Sequence, residues 1–267
     1  MINKIKVAVS GACGKMGQSV IKAVNAEADL ELVSAIDVVN IGKDIGEIVE
    51  NKSCGVVIED SLENALKTKK IDVVVDFTNP DLVFLNTKLI LENGARSVIG
   101  TTGLTESQLE EIKKLSEQKG LGALVAPNFA VGAVLMMMFS QKAAKYFSNA
   151  EIIELHHNNK KDAPSGTAIK TAQLMTQERS EFGKDNCAEF EICKGSRGGV
   201  TESNIHIHSV RLPGFIAHQE VIFGAPGQAL TIRHDSFDRI SFMPGVVLGI
   251  RHVMNNNEFV YGLENIL

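Results

Sequence analysis

The chain has 267 residues, enough for one or two ordinary domains, and its 44% hydrophobic and 22% charged composition is that of a protein with a buried core. A disordered chain and a small disulfide-held scaffold are thereby excluded. Lys plus Arg is 27 against 32 for Asp plus Glu, a formal charge of -5, so no overall basic excess points to nucleic acid. With no Trp and 5% aromatics, little is available for stacking on bases.

Cys13, Cys54, Cys187 and Cys193 contain no C-x2-C pair, so they are expected to be reduced thiols, and no metal is expected. No signal-peptide pattern opens the chain, and no apolar run reaches the ~18 residues of a membrane helix. The richest run, Ala130 to Phe139, is short and interrupted by Gly132. A cytoplasmic protein without a membrane partner is expected.

In chain order, Ile5 to Val9 reads as a buried strand and Lys15 to Ala26 as a helix with Met16, Val20, Ile21 and Val24 along one side. Leu30 to Ile36, Gly55 to Ile58 and Asp72 to Phe77 are further strands. The last holds Val73-Val74-Val75, a run expected where both sheet faces are covered. Asp81 to Glu92 is predicted helical and Ser97 to Gly100 a strand. Thr105 to Lys119 is an amphipathic helix opened by a Thr105/Gln108 capping box, and Leu121 to Val125 a strand. This alternation predicts an α/β domain with a doubly wound parallel sheet.

The second half differs. Gly132 to Phe147 reads as a long apolar helix, Ile152 to Leu155 as a strand and Gly166 to Arg179 as a helix. Four strand-like runs follow: Ala188 to Cys193, Asn204 to Arg211, Glu220 to Phe223 and Leu230 to Arg233. They predict an α+β domain with a mixed or antiparallel sheet. Ser241 to Met254 returns to helix, placed to pack back onto the first domain.

Gly11-Ala12-Cys13-Gly14-Lys15-Met16-Gly17 follows the first strand and opens a helix. Glycines there permit a tight turn and close backbone approach to a pyrophosphate, and the helix start offers N–H groups to the anion. A Rossmann-like dinucleotide site is expected. Asp37, twenty residues beyond Gly17, ends the second strand, where a carboxylate can accept hydrogen bonds from an adenosine ribose. Val38 follows rather than a cation, so a 2'-phosphate would meet repulsion, and NADH is expected to be preferred to NADPH. Three more strand-end loops suit one ligand crevice: Asp76-Phe77-Thr78, Gly100-Thr101-Thr102-Gly103 and Ala126-Pro127-Asn128-Phe129.

The segment His156-His157-Asn158-Asn159-Lys160-Lys161-Asp162-Ala163-Pro164-Ser165-Gly166-Thr167-Ala168 gathers histidines and lysines in an acidic chain. Its Gly166 and Thr167 open a helix, so an anion site flanked by cations is expected, one that a small carboxylate would fit. His156 can take or give a proton near neutrality; Lys160 can protonate a leaving hydroxyl or hold a carboxylate. Lys161 reads as a solvated surface charge. Adjacent histidines on a strand point to opposite faces, which argues against zinc at His156 and His157, and His206 and His208 lack a third ligand. The expected division is a discontinuous dinucleotide-binding domain of residues 1–128 and 238–267 around a second domain of residues 129–237.

The motif His-His-x-x-Lys-x-Asp-Ala-Pro-Ser-Gly-Thr-Ala resembles the signature of the dihydrodipicolinate (4-hydroxy-tetrahydrodipicolinate) reductase family. The resemblance extends through Gly11 to Gly17, Asp76 to Thr78, Gly100 to Gly103 and Asn128-Phe129, and is looser over Gly195 to Phe223. It implies a homotetramer, with residues 129–237 as its substrate-binding and oligomerisation domain, that reduces 4-hydroxy-tetrahydrodipicolinate with NADH or NADPH in the diaminopimelate route to lysine. It implies His156 as proton donor and acceptor and Lys160 as proton donor, with His157, Gly166 and Thr167 binding the small substrate dicarboxylate. Gly11, Ala12, Cys13, Gly14, Lys15, Met16, Asp37, Gly100, Thr101, Thr102, Ala126, Pro127, Asn128 and Phe129 would then hold the cofactor. The family's occasional Arg after the acidic ribose residue is replaced by Val38. Two rivals stand beside it. A semialdehyde-type dehydrogenase would need a well-placed cysteine, which neither Cys13 nor Cys54 supplies. A non-catalytic NAD(H) sensor would have no need of the His-His-Lys segment.

Overall fold

The computed structural model describes residues 4–183 and 190–267. The thiol of Cys187 and the start of the strand expected from Ala188 lie outside the described residues. The chain divides into two compact units, Met1–Ala130 with Phe242–Leu267, and Val131–Ser241.

In the first unit the order is β1 (Ile5–Ser10), α1 (Lys15–Ala26), β2 (Leu30–Ile36), α2 (Ile45–Glu50), β3 (Ile58–Glu59), α3 (Leu62–Thr68), β4 (Val73–Asp76), α4 (Val83–Glu92), β5 (Arg96–Ile99), α5 (Glu106–Lys119) and β6 (Ala123–Val125). The second unit contributes α6 (Val131–Ala144), β7 (Asn149–His156), α7 (Gly166–Glu178), β8 (Gly199–Val200), β9 (His206–Arg211), β10 (Ala217–Ala225) and β11 (Gln228–Ser236). The chain then returns to the first unit through α8 (Met243–Asn255) and β12 (Phe259–Tyr261).

The first unit's seven strands run β12-β6-β5-β4-β1-β2-β3, all paired in parallel. Six of them follow the doubly wound Rossmann order, and β12 extends one edge. Val7, Ala8, Val9 and Val73, Val74, Val75 are fully buried, as strands covered on both faces require. Val20, Ile21 and Val24 form the inward stripe of α1, and the Thr105/Gln108 capping box opens α5. The strand order reverses between β1 and β4, so a crevice is built at their carboxyl ends.

The second unit's sheet runs β11-β10-β7-β9-β8 and is mixed: β7 and β9 are parallel, the other pairs antiparallel. Ile152, Ile207, Val221 and Phe223 join Ala168, Ala172 and Met175 of α7 in one core cluster. Gln219 Nε2 donates to Thr171 Oγ1 at 2.8 Å, fixing which face of β10 meets α7. By period-two alternation, Ile153, Leu155, Val210 and Ile222 lie on the other face and are half-buried.

Two expectations need correction. Phe190 to Cys193 is not a strand: Glu191 accepts from the N–H groups of Gly195 and Arg197 at 2.8 and 2.9 Å, which folds the segment into a turn. Phe190 and Ile192 are left 85% and 90% exposed, and the edge strand is instead β8. The strand expected from Gly55 shortens to β3 because Asp44 gathers the N–H groups of Cys54 and Gly55, with Gly55 at φ +78°. The short elements α2, α3, β8 and β12 have no counterpart in the sequence reading, being too brief for periodicity to declare them. No helix among the described residues is long and apolar enough to cross a membrane.

Phe223 is fully buried and packs on Phe147 with ring centroids 5.6 Å apart. Phe223→Ala is expected to cost about 3–5 kcal/mol, read from urea unfolding followed by far-UV circular dichroism.

Candidate active site

The first hollow lies where β1 turns into α1. Gly11 sits at φ +80°, and a Cβ there would stand 2.4 Å from the Phe77 carbonyl oxygen. A Cβ on Gly17 would stand 2.1 Å from the Gly11 carbonyl oxygen, so the helix starts hard against its own loop. Gly14 is different: its φ is -69°, and the nearest atom to an added Cβ is Gly11 O at 3.3 Å. No side chain caps α1 at Gly14, so its first N–H groups remain open to an anion.

Asp37 closes the hollow. Its Oδ2 accepts from Cys13 N–H at 2.8 Å and its Oδ1 from Val38 and Val39 N–H at 2.7 and 3.2 Å. A carboxylate has about four acceptor positions, so one on Oδ2 stays available to a ribose hydroxyl. Burial, then the Asp37 charge, pushes the Cys13 thiol up from its ordinary range, which keeps it protonated and unreactive. The cleft here has a volume of about 560 Å³ and is lined by Gly11, Cys13, Gly14 and Asp37 with Val38, Val39, Phe77 and Leu82. Lys43 stands on the same loop, its Nζ donating to Asn40 Oδ1 at 3.0 Å, close enough for its charge to act on Cys13. A cation is therefore present beyond Val38, which neighbouring positions in the sequence do not reveal.

Asp76, fully buried at the end of β4, draws the other loops together. Its Oδ1 accepts from Thr78 N–H at 3.1 Å, Thr78 Oγ1 at 2.8 Å and Thr101 Oγ1 at 2.7 Å, and its Oδ2 from Asn86 Nδ2 at 2.9 Å. The Thr101 hydroxyl also accepts from Thr78 N–H at 2.8 Å, so its proton is committed and its side chain could only accept, through its second lone pair, from a ligand. The Phe77 ring lies where a Cβ on Gly100 would be, at 2.1 Å, and its centroid is 5.9 Å from that of Phe129. Asn128 Oδ1 accepts from Ala130 N–H at 2.9 Å. Gly100, Thr101, Thr102, Ala126, Pro127, Asn128 and Phe129 thus lie at the ends of β5 and β6 but are not among the residues lining the cleft. Ala12 is fully buried beneath the hollow, Met16 half-buried and Lys15 exposed.

The second hollow is built within the second unit, from the end of β7, the loop to α7 and the end of β9. Glu154 is fully buried, and its Oε2 lies 2.5 Å from His156 Nδ1. Arg211 grips the same carboxylate with both terminal nitrogens, Nη1 to Oε2 at 2.9 Å and Nη2 to Oε1 at 2.7 Å. Burial alone would raise the Glu154 pKa; hydrogen bonds from His156, Arg211 and Ser209 outweigh it and hold the group at about 2. An ionised carboxylate only accepts, so His156 Nδ1 carries the proton and Nε2 is left for chemistry. Lys160 Nζ donates to both oxygens of Asp162 at 2.9 Å. Ser165 caps α7 by accepting from Ala168 N–H at 3.2 Å, leaving the N–H groups of Gly166 and Thr167 without an intrahelical acceptor. A Cβ on Gly166 would meet nothing within 4 Å, so that helix end is open to a ligand. His156 and His157 are half-buried and Lys161 is exposed.

His156, the loop that carries Lys160 and the start of α7 are thus tied to one carboxylate: the Ser165 N–H donates to Glu154 Oε1 at 3.2 Å, and Arg211 Nη2 reaches both Glu154 and the Asp162 carbonyl. Sequence reasoning missed Glu154, Arg211 and Asp162. The only available signal was an acidic residue at a position whose alternation with Ile152 puts it on the covered face. His206 and His208 have protein partners, the Arg197 carbonyl at 2.6 Å and Glu151 at 2.7 Å.

Residues 5–129 match the family described as dihydrodipicolinate reductase, N-terminus, and residues 132–267 match the corresponding C-terminus. A 4-hydroxy-tetrahydrodipicolinate reductase of Listeria monocytogenes serotype 4b (strain CLIP80459) is 58% identical over 264 residues, 98% of this chain and 100% of that one. One from Picosynechococcus sp. (strain ATCC 27264 / PCC 7002 / PR-6) is 52% identical over 275 residues, 100% of this chain and 99% of the other. Among solved structures, the dipicolinate-bound dihydrodipicolinate reductase from Paenisporosarcina sp. TG-14 superposes with a TM-score of 0.90 at 49% identity, covering 99% of this chain and 100% of that one. The reductase family and the Rossmann-like first unit support an oxidoreductase with a nicotinamide cofactor.

Gly11 and Gly14 separate fold from binding. Gly11→Ala is expected to lower the melting temperature, because both its φ and its neighbour oppose a side chain. Gly14→Ala is expected to change stability by less than about 1 kcal/mol yet weaken NADH at least about tenfold, by standing where the pyrophosphate must approach. Differential scanning fluorimetry and NADH fluorescence titration read the two effects.

Proposed function

The chain belongs to the dihydrodipicolinate reductase family, and from that premise we propose that it reduces 4-hydroxy-tetrahydrodipicolinate to tetrahydrodipicolinate with loss of water, in the diaminopimelate route to lysine. The observation that carries this reading is the second hollow: a histidine with one nitrogen free, a lysine and an open helix N-terminus within one strand–loop–helix unit. The dipicolinate bound by the Paenisporosarcina relative supports a cyclic substrate with two carboxylates.

In the proposed reaction His157 and the N–H groups of Gly166 and Thr167 bind the carboxylates, where fixed dipoles act without reorganisation. Lys160 protonates the C4 hydroxyl as it leaves, and loss of a C3 proton completes the dehydration to a conjugated imine. When bound, the cofactor supplies the hydride that adds at C4. The electron pair displaced toward the ring nitrogen leaves an enamine, and a proton delivered at C3 restores the imine; His156 Nε2 takes and returns that proton in this reading.

Gly11 to Met16 and Asp37 would hold the pyrophosphate and the adenosine ribose. Gly100 to Thr102 and Ala126 to Phe129 would hold the nicotinamide end. Asp37 and Val38 favour NADH; Lys43 gives the 2'-phosphate of NADPH a partial counter-charge, so both cofactors are used. The half-buried apolar face of the mixed sheet supports self-association, and a cytoplasmic homotetramer is the assembly we propose.

His156→Ala and Lys160→Ala are each expected to lower kcat at least about 100-fold with little change in the KM for NADH, measured by NADH oxidation with freshly generated substrate. Unchanged turnover in both would remove them from the chemistry. Run in parallel with both cofactors, the same assay is expected to give a higher kcat/KM for NADH; an advantage of about tenfold or more for NADPH would overturn the preference.

A further inference from the structure

Glu154 has every acceptor position filled. Oε2 takes the His156 Nδ1–H and an Arg211 Nη1–H; Oε1 takes an Arg211 Nη2–H and the Ser165 N–H. Its carboxylate therefore has no freedom to turn, and neither has the imidazole that leans on it. Arg211 has a second task. Its Nη2 also donates to the Asp162 carbonyl oxygen at 2.8 Å, and Asp162 is the residue whose carboxylate holds Lys160. Nη1 also donates to the Val210 carbonyl oxygen at 2.8 Å, while Nε is buried with no partner among the described residues. Leaving a buried donor unmade costs stability. The guanidinium is oriented for the carboxylate and the loop at the expense of its own full satisfaction.

We propose that Glu154 and Arg211 are positioning residues that make His156 and Lys160 one device: Glu154 fixes the imidazole with Nε2 as its reactive nitrogen, and Arg211 fixes both Glu154 and the loop that presents Lys160. This rests on the reading of His156 and Lys160 as the proton-handling groups. A purely structural ion pair would need neither contact to His156 nor the bond to the Asp162 carbonyl. A structural pair of this kind is also replaceable, since buried pairs exchanged for apolar groups of similar shape often keep or gain stability.

The double variant E154M/R211M uses that property, because it leaves no unpaired charge inside and so keeps the fold when either single variant does not. In the tetramer or whatever assembly the full chain adopts, it is expected to melt near the parent temperature, to keep its KM for NADH within about twofold, and to lose kcat by at least about tenfold. Nitrogen-15 NMR of the histidines at about pH 8, assigned by the loss of signal in His156→Ala, reads the tautomer directly. Nδ1–H is expected at His156 in the parent, and loss of that fixed tautomer in the double variant. A folded double variant with parental turnover overturns the proposal, as does a His156 that already carries its proton on Nε2 in the parent. If instead His156→Ala itself retains turnover while the Nδ1–H tautomer is found, the catalytic reading of His156 fails and the positioning of its ring stands.

Discussion

A carboxylate with no exposed surface sits at the end of β7, and it is tolerated only because donors from His156, Arg211, Ser165 and Ser209 converge on it. Take one away and a charge is stranded in the interior, so the loop, the edge of β9 and the imidazole are constrained together. Asp76 plays the corresponding part in the first unit. It too is fully buried at a strand's carboxyl end, and it collects donors from Thr78, Thr101 and Asn86, which belong to different loops and a helix. In both units loops with no regular structure of their own are ordered by one ionisable group anchored on a rigid strand. A buried carboxyl group cannot be satisfied by approximate geometry, and that intolerance gives a loop a defined position.

The two helix N-termini differ in a way that follows from their sequences. At α1 the capping position is Gly14, which brings no side-chain oxygen, so the backbone N–H groups and the space above them are left to a ligand. At α7 the cap is Ser165, which uses its hydroxyl on Ala168 N–H and its own N–H on Glu154. The first end suits a group as large as a pyrophosphate approaching along the helix axis. The second is partly satisfied from within, and its remaining donors, on Gly166 and Thr167, suit a small carboxylate approaching from the side that Gly166 leaves open.

What could be read from the sequence was what local geometry dictates. A glycine forced to φ +80° by a strand-to-helix turn announces itself, and so does a Thr-x-x-Gln before an amphipathic run. The parallel sheet was legible because Val73 to Val75 carries no polar alternation. The Phe190 to Cys193 segment misled because alternating Phe and Ile satisfies the strand pattern, while the decisive fact, Glu191 closing a turn on Gly195 and Arg197, is a contact of one side chain with backbone further along. Lys43 was invisible as a neighbour of Cys13 because a loop, not adjacency, brings it there.

Glu154 and Arg211 are separated by 57 positions, and nothing in the local pattern of either marks the pair. The parallel register of β7 with β9 does it, setting His156 opposite Arg211 and Glu154 opposite Ser209. A slip of one residue in that register would turn Arg211 to the other face of the sheet and leave Glu154 without its counter-charge. The register is held in turn by Ile152 and Ile207, paired and buried in the same core as Phe223. Apolar packing at one end of the strands therefore fixes the alignment that satisfies the charge at the other. The proton-handling geometry of the second hollow is, in this sense, a consequence of which isoleucines meet beneath it.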